Sequence, residues 1–110
     1  MSIAGDLIRG HTDAVILARL MRGDSYGYEI NKVISTISDR RFELKEATLY
    51  TAFKRLEEQG LITSYWGDSG AGARRRYYSI TPAGQEACCR LKGEWKETKE
   101  IMDKLLEEEI

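Results

Sequence analysis

The stretch that most constrains the fold spans residues 46–80, where a helical pattern changes to a strand pattern at Gly60. Before Gly60, apolar residues recur at spacings of four and three, which predicts a helix with one buried stripe formed by Leu49, Phe53 and Leu56. After Gly60, the segments "LITSYW" and "RRRYYSI" are rich in β-branched and aromatic residues and enclose a loop with three glycines. This order predicts a helix that begins near Glu46 and ends at Gly60, followed by a β-hairpin.

Amphipathic helices are also predicted on both sides of this stretch. The first covers residues 6–22, with an apolar side formed by Leu7, Ala14, Leu17, Ala18 and Met21. The second, which Ser25 is placed to cap, has an apolar side formed by Ile30, Val33, Ile34 and Ile37. After the hairpin, Thr81 and Pro82 suit the cap and first position of a last helix that runs almost to the end.

Three helices, a hairpin and one more helix define an α+β fold that is mainly α. The first four elements match a winged helix-turn-helix, in which one helix enters the DNA major groove and a hairpin lies beside it. A chain of 110 residues has room for one such domain. We therefore expect a winged helix-turn-helix DNA-binding domain at residues 1–81 and a C-terminal dimerisation helix at residues 82–110.

The distribution of charge indicates where DNA would bind. The net charge is −1, so the chain as a whole is not a basic nucleic-acid binder, yet positive charge concentrates at Lys54–Arg55 and Arg74–Arg76. A solvated charge run is the alternative interpretation of the three arginines. Their position in a hairpin strand directly after a recognition-type helix favours contacts with phosphates or with the minor groove.

Side-chain direction limits these contacts. Neighbouring residues of a strand point to opposite faces, so at most two of Arg74, Arg75 and Arg76 can face DNA together, and the third is expected to pack on a tyrosine or on the domain. The exposed side of the third helix offers groups that can reach bases or phosphates, namely Thr48, Thr51, Lys54 and Arg55. A solvated face that contacts nothing is the alternative for each of them.

The last helix carries an apolar seam at alternating spacings of three and four, formed by Cys88, Leu91, Trp95, Thr98, Met102 and Leu105. Such a seam predicts packing against the first helix of a second subunit. A two-fold dimer would place two recognition helices about 34 Å apart, one turn of DNA. Two copies of Trp95 would then approach the axis, either packed without a gap or as a slot for a flat aromatic molecule.

Other classes of function lack their sequence features. No nucleophile elbow, phosphate loop or paired metal ligands occur, and His11, the single histidine, is expected to be partly buried or interfacial, so no enzyme, metal or cofactor is predicted. The adjacent Cys88 and Cys89 lack the spacing of a metal site, which favours two thiols with one turned inward over a thiol sensor. No apolar run is long enough to cross a membrane or to act as a signal segment, and we expect a cytoplasmic protein.

The motifs "ATLYTAFKRLEEQGLI", "SYWGDSGAGARRRYYSITPAG" and "SYGYEI" resemble those of the PadR family of bacterial transcriptional regulators. The resemblance covers nearly the whole chain, although Ala47 stands where much of the family has glycine. It implies a homodimeric repressor that binds a palindromic double-stranded operator. Its recognition helix would carry Thr48, Tyr50, Thr51 and Lys54, and its wing would carry Arg74 to Arg76.

The short chain with one final helix is most similar to a branch that includes a lactococcal multidrug-binding repressor. That resemblance implies a repressor of an efflux or stress-response gene, relieved when a planar hydrophobic effector binds between two tryptophans at the dimer interface. The residues expected at this ligand site are Trp95, Asp13, Ala14, Lys92 and Lys99. Lys92 and Lys99 replace an aromatic and an acidic residue of that relative, which leaves the charge preference open. A regulator without effector and a winged-helix protein-interaction module are the alternatives.

Overall fold

The computed structural model describes residues 7–68 and 74–107. Within these ranges the chain forms α1 (Thr12–Leu20), β1 (Ser25–Tyr26), α2 (Gly27–Ile37), α3 (Glu46–Glu58), β2 (Ile62–Asp68), β3 (Arg74–Ile80) and α4 (Pro82–Glu107). The strands make one antiparallel sheet in the order β1-β3-β2. The predicted α+β class and the winged-helix arrangement are confirmed.

The first helix differs from the predicted one. Residues 7–9 are helical, but the chain turns at Gly10, and α1 begins at Thr12. The turn is closed by hydrogen bonds from Gly10 N to Leu7 O and from His11 N to Ile8 O, which span three residues instead of four. The predicted apolar side was wrong in part, because the buried side chains are those of Thr12, Ile16, Leu17 and Leu20, whereas Leu7 and Met21 are exposed.

β1 was not predicted, and it changes the role of Ser25. Ser25 pairs with Tyr78 of β3, and the residue at the N-cap of α2 is Tyr26, which makes no side-chain cap bond. The Ser25 hydroxyl donates instead to Glu29 Oε1 at 2.5 Å. A two-residue strand is too short to show the alternation by which strands are recognised in a sequence.

Side-chain hydrogen bonds from Asn31, and from Ser38 to the backbone of Phe42, hold the connection between α2 and α3. Asn31 donates to Leu44 O at 2.7 Å and accepts from Leu44 N at 2.8 Å. Phe42 and Leu44 are both buried. These contacts set the position of α3, which begins after Lys45 without a side-chain cap and ends before Gly60 with its φ of 74°.

A core of apolar side chains lies between the helices and the sheet. Tyr78 of β3 stacks on Phe53 of α3 with ring centroids 3.9 Å apart. The predicted cap of α4 is present, because Thr81 Oγ1 accepts from Gly84 N at 3.0 Å and donates to Gly60 O at 2.8 Å. The first two turns of α4 join the core through Gly84, Ala87 and Cys88, and from Lys92 to Glu107 the helix is exposed.

The strands of the predicted hairpin are confirmed as β2 and β3. In their register Tyr65 faces Tyr77, and Trp66 faces Arg76. The tip of the predicted loop, residues 69–73, lies outside the described residues. Across the described ranges, no helix combines the length and hydrophobicity needed to cross a membrane.

Candidate nucleic-acid interface

One side of α3 faces outward from the domain. The helix buries Leu49, Ala52, Phe53 and Leu56. At 100° per residue, the opposite side carries Ala47, Thr51, Lys54 and Glu58, and all four are exposed. Thr51 and Lys54, two of the predicted DNA-binding residues, therefore lie at the centre of the outward side.

The remaining predicted residues of α3 lie on its two flanks. Thr48, which is half-buried, and Arg55 line a shallow groove of about 350 Å³ with Arg9 and Thr12 on the side of α1. Tyr50 lies on the opposite flank, where it borders a second groove towards α2 and meets Phe53 edge-on at 5.6 Å. The residues of α3 that were predicted to bind DNA thus lie on its outward side and at the edges of two grooves.

Arg55 is held by an acidic residue of α1. Its Nη2 donates to Asp13 Oδ1 in a short hydrogen bond, and its Nε donates to Asp13 Oδ2 at 3.4 Å. The hydrogen bond to Asp13 raises the pKa of Arg55; burial opposes this shift, and the charge of Asp13 adds to it. Arg55, which was predicted to bind DNA, is therefore paired with Asp13, which was predicted to line the ligand site.

The three arginines of β3 divide between the faces of the sheet. The guanidinium groups of Arg74 and Arg76 lie 5.3 and 5.6 Å from the centre of the Trp66 ring. Arg75 points the other way and covers the ring of Tyr26 at 4.4 Å. Arg74 and Arg76 thus form a pair on one face, and Arg75 belongs to a cluster of tyrosines on the other.

Glu57 connects this wing to α3. Its Oε1 lies 3.7 Å from Arg76 Nη2, and its Oε2 accepts from Ser64 Oγ at 3.0 Å. On the opposite face, Tyr77 stacks on Tyr65 at 5.6 Å and meets Tyr26 edge-on at 5.4 Å. The contacts of Glu57 join the wing to α3, and the tyrosine contacts join the three strands to one another.

A larger cavity of about 540 Å³ lies between the start of α1, the end of α3 and the middle of α4. Trp95 forms one wall, is 49% exposed and meets the ring of His11 edge-on at 5.1 Å. Asp13 and Ala14 also line the cavity, whereas Lys92 and Lys99 do not. Three of the five predicted ligand-site residues therefore surround one space within a single chain.

The two cysteines differ in exposure. Cys88 is buried and Cys89 is exposed. Burial raises the pKa of the Cys88 thiol, Lys92 partly opposes the shift, and Cys89 adds slightly to it. In the part of the chain that the structure describes, no group of three histidine, cysteine or acidic residues is placed to hold a metal ion.

Several residues of these surfaces were not predicted from the sequence, above all Trp66, Glu57 and Tyr26. The pairing of Trp66 with Arg76 follows from the register of the hairpin, which the sequence alone does not give. Glu57 has the spacing of a solvated charge on α3, and Tyr26 lies in the strand that was not recognised. One feature of the wing could be predicted from the sequence: neighbouring residues of a strand point to opposite faces, which separates Arg75 from Arg74 and Arg76.

A polar helix side next to a hairpin with arginines, built on three helices and a small sheet, defines the class of winged helix-turn-helix DNA-binding regulators. Comparison with known proteins gives the family within this class. Residues 16–90 match the transcriptional regulator PadR-like family. The chain belongs to the PadR-like family of transcriptional regulators.

Similar proteins cover almost all of the chain. A transcriptional regulator from Clostridium thermocellum is 47% identical, with a TM-score of 0.85 over 94% of this chain and 97% of that one. A PadR family transcription regulator from Clostridium difficile is 38% identical, with a TM-score of 0.76 over 87% of this chain and 98% of that one. An uncharacterised protein of Lysinibacillus sphaericus is 45% identical over 96% of both chains.

Proposed function

We propose that the protein is a homodimeric repressor that acts in the cytoplasm and binds a palindromic operator. Release from DNA would follow the binding of a planar aromatic effector beside Trp95. One observation carries the DNA-binding part of this proposal: the outward side of α3 is polar, and Glu57 of the same helix contacts Arg76 in a wing that carries three arginines. The regulated gene would be one for multidrug efflux or stress response, as the resemblance implies.

The proposed contacts follow from side-chain chemistry. Thr51 and Lys54 would enter the major groove, with Thr48 and Tyr50 at its edges. Arg74 and Arg76, held together on Trp66, would bond phosphates or the minor groove, where guanidinium groups bind well. Arg75 is turned towards Tyr26 and would reach DNA only from the other face of the wing.

The dimer is supported by the exposed apolar residues of α4. Trp95, Ile101, Met102, Leu105 and Leu106 are each between 45% and 76% exposed. Apolar groups recurring on one helix at this spacing indicate packing against another helix. A second copy of this chain would cover them and would supply the second DNA-binding surface that a palindrome requires.

The effector is supported by the cavity beside Trp95, whose aromatic wall suits a flat molecule. The carboxylate of Asp13 lines the same cavity but is already paired with Arg55. One observation favours the second candidate, a regulator without effector. The His11 ring already contacts the Trp95 ring in a T-shaped arrangement within the single chain, so the tryptophan has a partner without any ligand.

Binding to duplex DNA tests the first part. The DNA is a duplex that the wild-type protein selects from a random library. We expect Lys54→Ala and the double variant Arg74→Ala/Arg76→Ala to bind it more weakly, and the slope of log K against log salt to fall by about 0.9 for each phosphate that the variant no longer binds. Lys104→Ala, on the exposed end of α4, is the matched control. Unchanged affinity and salt slope in both test variants would reject these contacts.

Binding of a planar dye tests the second part. The protein has two tryptophans, so the titration is made in a Trp66→Phe background in which Trp95 alone emits. We expect the dye to quench Trp95, and the Trp95→Leu variant to lose binding when the dye's own signal is followed. Equal binding by both proteins would reject the site and favour a regulator without effector.

A further inference from the structure

The contact between Asp13 and Arg55 joins two parts of the molecule that are distant in sequence. Asp13 lies in the first turn of α1, and Arg55 lies in the last turn of α3, 42 residues away. Both side chains line the cavity beside Trp95, and Arg55 also lines the groove that contains Thr48 and Thr51. The ion pair therefore stands between the cavity and the proposed DNA-binding side.

The geometry of the pair leaves part of Arg55 available for another partner. A guanidinium has five N–H donors in one plane, and Asp13 accepts from Nε and from Nη2. The end of the fork, formed by Nη1 and the second hydrogen of Nη2, is not used by Asp13. Two acceptor atoms of a phosphate, or O6 and N7 of a guanine, fit this end of the fork.

Both side chains are accessible enough for Arg55 to bond a second partner while it is paired with Asp13. The side chain of Arg55 is 44% exposed and that of Asp13 is 33% exposed. A carboxylate that bonds both Nε and Nη2 fixes the plane of the guanidinium, whereas an unsupported arginine samples many rotamers that binding must restrict.

We propose that Asp13 is a positioning residue for DNA binding, which holds Arg55 so that its free edge bonds a pair of acceptors on the duplex. The proposal rests on the proposed function, because it needs α3 to bind DNA. The opposing view is that Asp13 neutralises Arg55 and so weakens its attraction to DNA.

The two views predict opposite signs for one substitution. Asp13→Asn removes a negative charge from a surface that approaches a polyanion, so charge alone predicts tighter DNA binding. Loss of positioning predicts weaker binding, because the freed Arg55 side chain must then be ordered on the DNA. That cost corresponds to an affinity lower by about 2- to 10-fold.

The experiment is a double-mutant cycle on the selected duplex, with Asp13→Asn, Arg55→Gln and the double variant. We expect Asp13→Asn to weaken binding in the wild-type background and to cause no loss in the Arg55→Gln background. Arg55→Lys keeps the charge but not the fork, and it should lose most of the affinity that Arg55→Gln loses. Glu86→Gln, at an exposed position of α4, controls for the change in net charge and should leave affinity as in the wild type.

The outcomes separate the two proposals. Binding by Asp13→Asn that equals or exceeds the wild type overturns the positioning role, and so does an equal loss in both backgrounds. Thermal melts identify any variant that fails to fold. In that case the DNA affinity of the folded Arg55→Lys variant is the test, and an affinity equal to that of the wild type overturns the positioning role. If the wild type selects no duplex at all, both this inference and the proposed function fail.

Discussion

Gly84 sets how closely α4 approaches the end of the sheet. A Cβ at this position would lie 2.1 Å from the carbonyl oxygen of Leu61 and 2.7 Å from Cγ1 of Ile80. A backbone oxygen cannot rotate away as a flexible side chain can, so a larger residue would push the helix off the core.

We therefore expect Gly84→Ala to lower the free energy of unfolding by about 1–3 kcal/mol, the usual cost of overpacking. Gly93→Ala is the matched control on the same helix, because a Cβ there would meet nothing within 4 Å. It should raise stability by up to about 1 kcal/mol, since alanine favours a helix over glycine. Urea denaturation measures both; a shift of the same sign in the two variants would contradict the close approach.

Tyr78 makes stability depend on alkaline pH. Its ring is 3% exposed and stacked on Phe53, and burial raises its pKa above the ordinary value of 10.0. A raised pKa in the folded state means that the stabilisation is complete below about pH 10 and is lost as the pH rises through the folded-state pKa. Burial also raises the pKa of the Cys88 thiol above its ordinary value of 9.0, so its contribution begins to be lost about one pH unit lower than that of Tyr78.

The expected result is a free energy of unfolding that falls above about pH 10, with a smaller fall in the Tyr78→Phe variant. Denaturation at a series of pH values measures it. Tyr28→Phe makes the same chemical change at an exposed tyrosine and should leave the decline as it is in the wild type. If the Tyr78 and Tyr28 variants declined alike, the effect would not come from the buried ring.

In the hairpin, two of the three arginines of β3 lie against the ring of Trp66. The guanidinium groups of Arg74 and Arg76, which are two residues apart on the neighbouring strand, lie 5.3 and 5.6 Å from the centre of this ring. Each such cation–π interaction at an exposed site is worth about 0.5–1 kcal/mol. Under the proposed function, Trp66 would support the contacts of these two arginines with DNA without a charge of its own.

Replacing Trp66 with leucine should weaken DNA binding by about 2- to 5-fold for each arginine that the ring no longer holds. Trp66→Phe keeps an aromatic face and should weaken binding less. Fluorescence anisotropy with labelled duplex measures both variants. In the Arg74→Ala/Arg76→Ala background the leucine substitution should have no further effect, and a full decrease there would mean that Trp66 touches DNA itself.

Some elements could be predicted from the sequence because local signals define them. The buried stripe of α3, Gly60 after it and the Thr81–Pro82 start of α4 each act within a few residues, and the structure has them where the patterns placed them. The two strands of the hairpin were recognised from composition alone.

Features that depend on tertiary contact could not be predicted in the same way. β1 exists because β3 offers it a partner, and the side of α1 that is buried, with Ile16 and Leu20 beside the predicted Leu17, is decided by the packing of this helix on the core. For the candidate site, the sequence predicted which polar and basic residues of α3 and the wing are exposed, apart from the half-buried Thr48. Their partners could not be predicted, because Asp13 and Arg55 lie 42 residues apart and Trp66 meets Arg76 only through the register.

The whole molecule is extended by α4. Its radius of gyration is 15.9 Å, against about 13 Å for a compact chain of this length, and its longest dimension is 63 Å. The far half of the helix carries Met102 at 45% exposure and Leu105 at 70%. A lone subunit would keep these side chains in water.

We expect the wild type to sediment as a dimer and the Met102→Glu/Leu105→Glu variant to sediment as a monomer, because charges cannot be buried in an apolar seam. The variant should also bind a palindromic duplex more weakly, since its two half-sites are then bound independently. Lys96→Glu, on the same helix but outside the seam, is the control for charge. A wild type that stays monomeric at tens of micromolar would contradict this role of α4.

The exposure of α4 beyond Leu91 has a consequence for how the far end folds. Isolated helices shorter than about 12–15 residues are marginal in water. Residues 92–107 continue the helix from its buried first turns, and beyond the contact of Trp95 with His11 they receive little help from their own domain. Their amide protons should exchange quickly with solvent in dilute samples and slowly in concentrated ones, while those of α3 stay protected throughout. The fraction of molecules in which residues 92–107 are folded would therefore rise with the concentration of the protein.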